Sequence, residues 1–427
     1  MRRWVQQRPV LAWALYDWAN SAFATTVMAG FFPVYFRQFW SLGSDAAVTT
    51  ARLGYANGAA GLVVALLAPL LGALADRSAR RKHWLAAWTA LGVLGTAGLY
   101  FAGRGEWLAA ALLYCLGTMG FNGGIVFYDA LLPFVAAERD YDRVSAFGYA
   151  LGYVGGGVLF ALNVLMVLHP AWFGLGSAAA AVQFAFLSVA VWWALFTLPL
   201  LAGVAERSTA AGAAASGAAP AEAGVAGGWR ELWHTLRAAR EQRPLWLFLI
   251  AYWLYIDGVN TIIKMAVDFG LAIGLPATGL LGALLLTQFV AFPAALGFGW
   301  LGGRIGARRA ILLGIGVYTG VALWAMVIDS VAGFYAMAIV VGLVQGGVQS
   351  LSRSLYARFV PAGKSAEYFG FYNMVGKFAT VLGPVLIGVT ATLTGDARHA
   401  IASVALLFLA GGALLWRVQD QPAGSSA

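Results

Sequence analysis

Twelve stretches of mostly apolar residues follow one another along this 427-residue chain. Each is close to the roughly 20 residues that a helix needs to cross a bilayer. They lie at about 10–36, 53–75, 84–102, 107–135, 144–168, 179–202, 245–269, 278–301, 310–328, 334–358, 367–393 and 400–416. The expected fold class is therefore an all-α polytopic membrane protein with twelve transmembrane helices. Apolar residues make up 61% of the chain and charged residues 11%, against roughly 25% charged in a soluble domain. A soluble enzyme, a disordered chain and a disulfide scaffold are thereby excluded. A β-barrel requires alternation of apolar and polar residues, and runs such as 61–74 and 400–415 do not alternate.

Cys115 is alone, and His83, His169, His234 and His399 fall in or near the expected loops without metal-ligand spacing. No metal site, cofactor or nucleotide-driven pump is read from the motifs. The formal charge is +9, which distributes unevenly. With the N-terminus inside, twenty Lys and Arg fall in inside segments, four (Arg37, Arg52, Arg104, Arg398) in outside segments and three within spans. The bias places both termini in the cytoplasm and accounts for the charge without nucleic acid. Asp17 and Asn20 interrupt the first apolar run, so it reads as an uncleaved span rather than a signal peptide. Trp4, Trp40, Trp84, Trp107, Trp172 and Trp416 sit at expected span ends, as an aromatic belt does.

Residues 208–228 are low in complexity and read as a flexible linker. Trp229, Leu232, Trp233 and Leu236 after it follow helical spacing. They form either a short amphipathic helix on the inner leaflet or a solvated connector. The expected organisation is an N-terminal six-helix bundle (1–202), a cytoplasmic linker (203–244) and a C-terminal six-helix bundle (245–427). The halves repeat one another. Gly72–Lys82 aligns on 299–309, Trp13, Asp17, Asn20 and Ser21 align on Trp253, Asp257, Asn260 and Thr261, and Phe147-Gly148-Tyr149 aligns on Phe369-Gly370-Phe371. Helix direction agrees, so this is a parallel six-plus-six repeat, the architecture of major-facilitator transporters.

Ionisable residues within spans are costly and usually face a cavity or a partner. Seven occur here: Asp17, Asp129, Asp257, Lys264, Asp268, Arg353 and Lys377. On the seventh span Trp253, Asp257, Asn260, Thr261, Lys264 and Asp268 share an arc of about 100°. The first span repeats the arc with Asp17 and Asn20 but has Ala24 where the seventh has Lys264. Gln345, Gln349 and Arg353 share a face of span ten, Asn373, Lys377 and Thr380 one of span eleven, and Asn122 and Asp129 one of span four. Two readings stand for the first and seventh stripes: a solute cavity or a buried hydrogen-bonded seam. Arg353 and Asp129 either pair between the halves or cap near the inner surface. Gly148, Gly152 and Gly156 on span five permit close backbone approach.

The Gly72-x-x-x-Asp76-Arg77-x-x-Arg80-Arg81 loop resembles the signature loop of the major facilitator superfamily, with Ala79 where that superfamily usually has Gly. The stretches 13–27, 145–157, 342–361 and 366–384 resemble the autophagy-related vacuolar amino-acid effluxer family and its bacterial relatives. The resemblance covers nearly the whole chain outside the linker. It implies two bundles lining a central cavity and a cytoplasmic gate formed by Asp76, Arg77, Arg81, Arg304 and Arg308. Asp76 is expected to cap the start of span eleven near Ser365–Glu367, while its repeat partner Gly303 has no acid, and Arg304 and Arg308 are expected to meet Asp140 or Asp142. The function implied is secondary transport of a small polar solute, an amino acid in the first place, out across the bacterial inner membrane. The alternatives are a transporter-like sensor or, less favoured for lack of a membrane-depth histidine, an embedded enzyme. Expected binding residues are Asp17, Asn20, Asp257, Asn260, Lys264, Gln349, Arg353, Asn373 and Lys377. Asp17 and Asp129 are expected to carry protons, and Asp257 with Asn260 and Lys264 to grip a zwitterion. The expected partners are the solute, protons and lipid, with a single chain as the working unit. Reporter fusions at Ala215 and Ala427 should read cytoplasm, and fusions near Asp45 and Gly174 the outside. An outside signal at Ala215 would overturn both the topology and the repeat.

Overall fold

A computed structural model describes residues 8–206, 237, 242–272, 277–328, 330–395 and 397–418. The first helix, α1, spans 8–40. It is α-helical over Arg8–Ala22, widens to a π-helix over Phe23–Phe31, returns to α over Phe32–Tyr35 and is π again over Phe36–Trp40. Then come α2 (Ala46–Ser78), α3 (Arg81–Gly98), α4 (Trp107–Ala130), α5 (Tyr141–Leu168) and α6 (Ala178–Gly203). The second half holds α7 (Arg243–Ala272), α8 (Ala277–Ile305), α9 (Ala307–Trp324) and α10 (Val331–Ala357). Among the described residues, eleven helical stretches are long and apolar enough to cross a membrane by length and composition. With α1 they make the twelve spans of the major-facilitator fold. The amphipathic helix expected at 229–236 lies outside the described residues.

Two spans that read as continuous in the sequence are broken. Span eleven is α11 (Ser365–Phe378) followed by α12 (Leu382–Thr394). Pro384 explains the break. It has no N–H to return to residue 380 and its ring crowds that carbonyl, whereas in the first turn of a new helix it costs nothing. Span twelve is α13 (Ala397–Ala402) followed by α14 (Ala405–Trp416). There the Ser403 hydroxyl donates to the Ala400 carbonyl at 2.6 Å, competing with the helical ladder.

Within the first half α1 packs on α5 and α6, and α3 on α4 and α6. Within the second, α7 packs on α14, and α10 on α8 and α9. The halves meet along two crossings that the repeat relates, α2 on α11 and α5 on α8. Glycine makes both possible. A Cβ on Gly72 would lie 2.2 Å from the Ala366 carbonyl oxygen, and one on its repeat partner Gly299 would lie 2.5 Å from Ala146 Cβ. Backbones therefore touch where side chains would hold them apart. Both crossings lie at the face carrying the basic loops.

α2 ends in a tight reversal. Ala79 takes the left-handed conformation (φ 47°, ψ 38°), the one non-glycine residue with positive φ among the described residues. This is the position where the superfamily loop usually has Gly, and the reason is steric: Cβ crowds the carbonyl oxygen in this region. Ala79→Gly should stabilise the protein by about 0.5–1 kcal/mol, the relief of strain exceeding the added freedom of the unfolded chain. A higher midpoint of thermal unfolding in detergent checks this, and an unchanged or lower midpoint would contradict it.

Candidate functional site

Arg353, on α10, is only 2% exposed and reaches into the first half. Its Nη1 lies 3.0 Å from Asp129 Oδ1 on α4 and 3.5 Å from Asp17 Oδ2 on α1. Its Nε donates to Ser145 Oγ at 2.8 Å and its Nη2 to the Ser145 carbonyl at 2.9 Å, both on α5. The rings of Trp13, Tyr128 and Tyr149 surround the guanidinium at 4.9, 5.2 and 4.5 Å. Of the two readings left open for Arg353 and Asp129, the structure has the pair. Asp129 Oδ2 accepts from Asn373 Nδ2 at 3.1 Å, so a second residue of the C-terminal half joins the cluster. Tyr128 donates to Asp17 Oδ2 at 2.7 Å. Glycines admit this packing: a Cβ on Gly148 would lie 2.8 Å from Asp17 Oδ2.

Above this cluster lies a cavity of about 410 Å³ between the two halves. It runs from Arg353 away from the basic face toward Ala29, Leu280 and Phe334. Asp17, Asn20, Asp129, Asn260, Gln349, Asn373 and Lys377 line it with Arg353, so eight expected site residues share one space. Gln349 accepts from Tyr153 at 3.2 Å across the halves. Asn20 is 2% exposed and lies beside Tyr16 on the same helix, and among the described residues its Nδ2 meets no acceptor at hydrogen-bond distance. Asp17 directs Oδ2 to Tyr128 and Arg353, while among the described residues no donor meets Oδ1. The side chain of Lys264 lies outside the described residues.

Asp257 does not line the cavity, and its expected role in gripping solute is corrected. It is fully buried, and its carboxylate accepts from the backbone N–H groups of Val381 (3.3 Å), Leu382 (2.9 Å) and Gly383 (2.9 Å) and from Thr261 Oγ1 (3.2 Å). These are the orphan donors at the start of α12. Asn260 Nδ2 donates to the Ala379 carbonyl at the end of α11, at 2.9 Å. The Asp257-x-x-Asn260-Thr261 motif therefore staples both ends of the break in span eleven, and only Asn260 also faces the cavity.

At the basic face, Asp76 accepts from the backbone N–H of Ala366 (3.0 Å) and Glu367 (2.8 Å), capping α11 from the other half. Arg81 grips Asp76 at 2.6 Å, and Glu206, at the end of the first half, accepts from the backbone N–H of Arg81 and Lys82 at 2.8 and 2.6 Å. Arg77 is exposed there. The expected contacts of Arg304 and Arg308 with Asp140 or Asp142 are corrected. Arg304 stands over Trp300, and Arg308 donates to the Trp416 and Val418 carbonyls. Asp142 instead accepts from Ser354 and pairs with Arg358 at 3.0 Å, and Ser145 donates to the Ser350 carbonyl at 2.7 Å. Ser145, Tyr128 and Gln288 escaped the sequence reading. Ser145 and Tyr128 lie in apolar runs with nothing to single them out. Gln288, which donates to Thr25 Oγ1 across the halves at 2.9 Å, carried a signal as the lone amide in the apolar run of α8.

Two six-helix bundles around a central polar cavity, with inter-half contacts sealing one face, define a membrane transporter of the major-facilitator type. Solved structures with this fold include FucP in the outward conformation (TM-score 0.71, 12% identity, 98% of this chain and 100% of that one). Another is the proton:xylose symporter XylE (TM-score 0.68, 12% identity, 96% and 94%). More particularly, the chain belongs to the family described as vacuole effluxer Atg22 like, whose model matches residues 42–140 and 136–425. The MFS-type transporter YxiO of Bacillus subtilis (strain 168) is 37% identical over 423 residues, 99% of this chain and 96% of that protein. Autophagy-related protein 22-2 of Neosartorya fischeri is 26% identical over 304 residues, 65% of this chain and 49% of that protein.

Asp257→Ala strands three backbone donors in the membrane interior and should cost on the order of 2–3 kcal/mol. Asp257→Asn, which keeps one acceptor oxygen, should cost less. Thermal unfolding of the two variants in detergent checks the order, and an Ala variant as stable as the parent would remove the staple.

Proposed function

We propose that the protein exports a small polar solute, an amino acid in the first place, across the cytoplasmic membrane in exchange for protons. It works by alternating access, as a single chain with both termini in the cytoplasm. The basic loops mark the cytoplasmic face, so the contacts at that face make this an outward-facing arrangement with the inner side shut.

The observation that carries the reading is the Arg353 cluster. It joins α10 to α1, α4 and α5 beneath the cavity. Opening the inner face requires the halves to separate there, so Arg353 must release Asp17, Asp129 and Ser145 in each cycle. One guanidinium faces two carboxylates, and the excess negative charge is one that a proton cancels. Occupancy of the cavity and protonation of its carboxylates thus act on the same tie that holds the gate shut, which is what coupling requires. The family supports an amino acid as solute, and Lys377 on the opposite wall supplies a cation suited to a carboxylate.

The test is transport in proteoliposomes with an imposed pH gradient, using radiolabelled amino acids. Arg353→Gln should retain the fold and lose at least about tenfold in gradient-driven flux, equivalent to roughly 1.4 kcal/mol. Arg353→Lys should also be impaired, because an ammonium cannot span Ser145 and Asp129 in the planar geometry of the guanidinium. Flux at the parent rate in Arg353→Gln would show that the tie takes no part in transport.

A further inference from the structure

The repeat leaves one place unfilled. In the last turn of α2, Asp76 ties the halves together, and its repeat partner in the last turn of α8 is Gly303. A cavity of about 270 Å³ lies there, where the turn between α8 and α9 meets the start of α5 and the end of α10. Both halves form its wall: Arg139 and Asp142 from the first, Gly303, Gly306 and Arg358 from the second. Arg143 stands at its edge. A Cβ on Gly303 would lie 3.5 Å from Arg143 Nε and 3.9 Å from its Nη2. An acidic group at this point therefore meets a guanidinium, as Asp76 meets Arg81 in the other copy. Arg143 is exposed, and among the described residues it makes no hydrogen bond or ion pair through its side chain. We infer that this cavity binds a phosphate group between Arg139 and Arg143 of the first half and Arg358 of the second, and that the bound phosphate latches the inner face where Gly303 supplies no acid. The latch, though not the binding, rests on the alternating-access reading above.

Basic loops set topology wherever they stand on the cytoplasmic side. That rule asks for no cavity between the halves with cations from both on it. The segments that frame this one, 138–143, 302–309 and 355–359, carry six arginines against three carboxylates. Asp142, the carboxylate on the wall, has both oxygens taken, by Ser354 and by Arg358. Asp140 lies 3.5 Å from Arg139. Arg308 is engaged by the Trp416 and Val418 carbonyls, which carry no net charge. The surplus at the cavity is thus positive, and an anion balances it. Phosphate suits the geometry better than chloride or a carboxylate. Its oxygens point in several directions, so guanidiniums on opposite walls can each place N–H groups on one ion, whereas a carboxylate presents two oxygens along a single edge. A phosphate so held bridges α5 of one half to α8 and α10 of the other. It stands to the second crossing as Asp76 stands to the first, with the difference that it can leave. A free phosphate ester and the headgroup of an anionic lipid offer the same chemistry at this face, and the measurements below separate them.

Binding of inorganic phosphate and of glycerol 3-phosphate to the purified full-length protein in detergent is measured calorimetrically over a constant background of chloride. Both should bind, and Arg143→Gln should weaken both by at least about tenfold. Gly303→Asp should abolish binding, because its carboxylate takes the place of the phosphate, and should raise the midpoint of thermal unfolding with no ligand present. A variant that had merely lost its packing would unfold earlier instead. In phosphatidylcholine nanodiscs, added phosphate should raise the midpoint of the parent. If phosphatidylglycerol in the disc raises it already and phosphate adds nothing, the occupant is the lipid headgroup. If phosphate acts equally in both bilayers, the occupant is the free ion. Spin labels at Ser78 and Ala362, both exposed at the inner face, in a chain with Cys115 replaced by Ser, report the separation of the halves. Occupancy should enrich the short distance, and Gly303→Asp should enrich it without any ligand. Phosphate binding that survives either substitution at the parent affinity overturns the site. So does a parent that neither phosphate, its glycerol ester nor phosphatidylglycerol affects. Occupancy that leaves the distances unchanged overturns the latch, while flux through the Arg353 variants decides the transport reading separately.

Discussion

An arginine sealed inside a membrane protein loses several kcal/mol of hydration, which only close partners can return. Arg353 finds them entirely in the other half of the molecule: two carboxylates, a serine hydroxyl, a carbonyl and three aromatic faces. Much of the first half is arranged so that this is possible. Gly148 gives Asp17 and Tyr128 room, Gly152 lets α5 lie against α1, and Trp13 stacks on Tyr128 at 4.4 Å while its indole donates to the Tyr128 carbonyl. The glycine stripe that read as packing does pack, and what it packs is the polar face of α1. Separating the halves is correspondingly expensive unless the charges are rebalanced first.

The repeat supplies a symmetric scaffold that carries asymmetric chemistry. Asp17 and Asp257 occupy equivalent positions, each with an Asn three residues on. The first faces the cavity and the guanidinium. The second is consumed by the backbone of α12. The difference arises outside the motif itself, because Pro384 breaks span eleven beside Asp257 and creates orphan donors that only a buried acceptor can satisfy. One motif thus becomes a binding face and the other a joint.

Helix number, direction and the two-bundle plan were legible because hydropathy, basic loops and an internal repeat all report them. The Asp76 cap on α11 was expected too, from the resemblance of its loop to the superfamily signature rather than from the repeat, whose second copy has Gly303 at that place. The Arg353–Asp129 pair stayed open at that level, because spacing along one helix says which face a residue takes and not which helix from the other bundle will meet it. The role of Asp257 was misjudged for a related reason. Helical periodicity assumes continuous helices, and span eleven read as one helix across Pro384. Tyr128 and Ser145 were invisible because an aromatic and a small hydroxyl within apolar runs look like ordinary packing.

The glycine crossings bear on how fast the gate can work. Where Gly72 meets the Ala366 backbone, and Gly299 meets Ala146, no long side chains interlock between the bundles. At these two crossings the helices meet on backbone, so the long side chain that has to be drawn from a socket as the halves part is that of Arg353, deeper in the interface. The waiting time before the inner gate opens is then governed by the Arg353 tie and a few discrete polar contacts: those of Asp76 to α11, Asp142 to Ser354 and Arg358, and Ser145 to α10. Such a gate behaves as a catch on a loose hinge, and its kinetics answer to single hydrogen-bonding groups more than to the bulk of the interface.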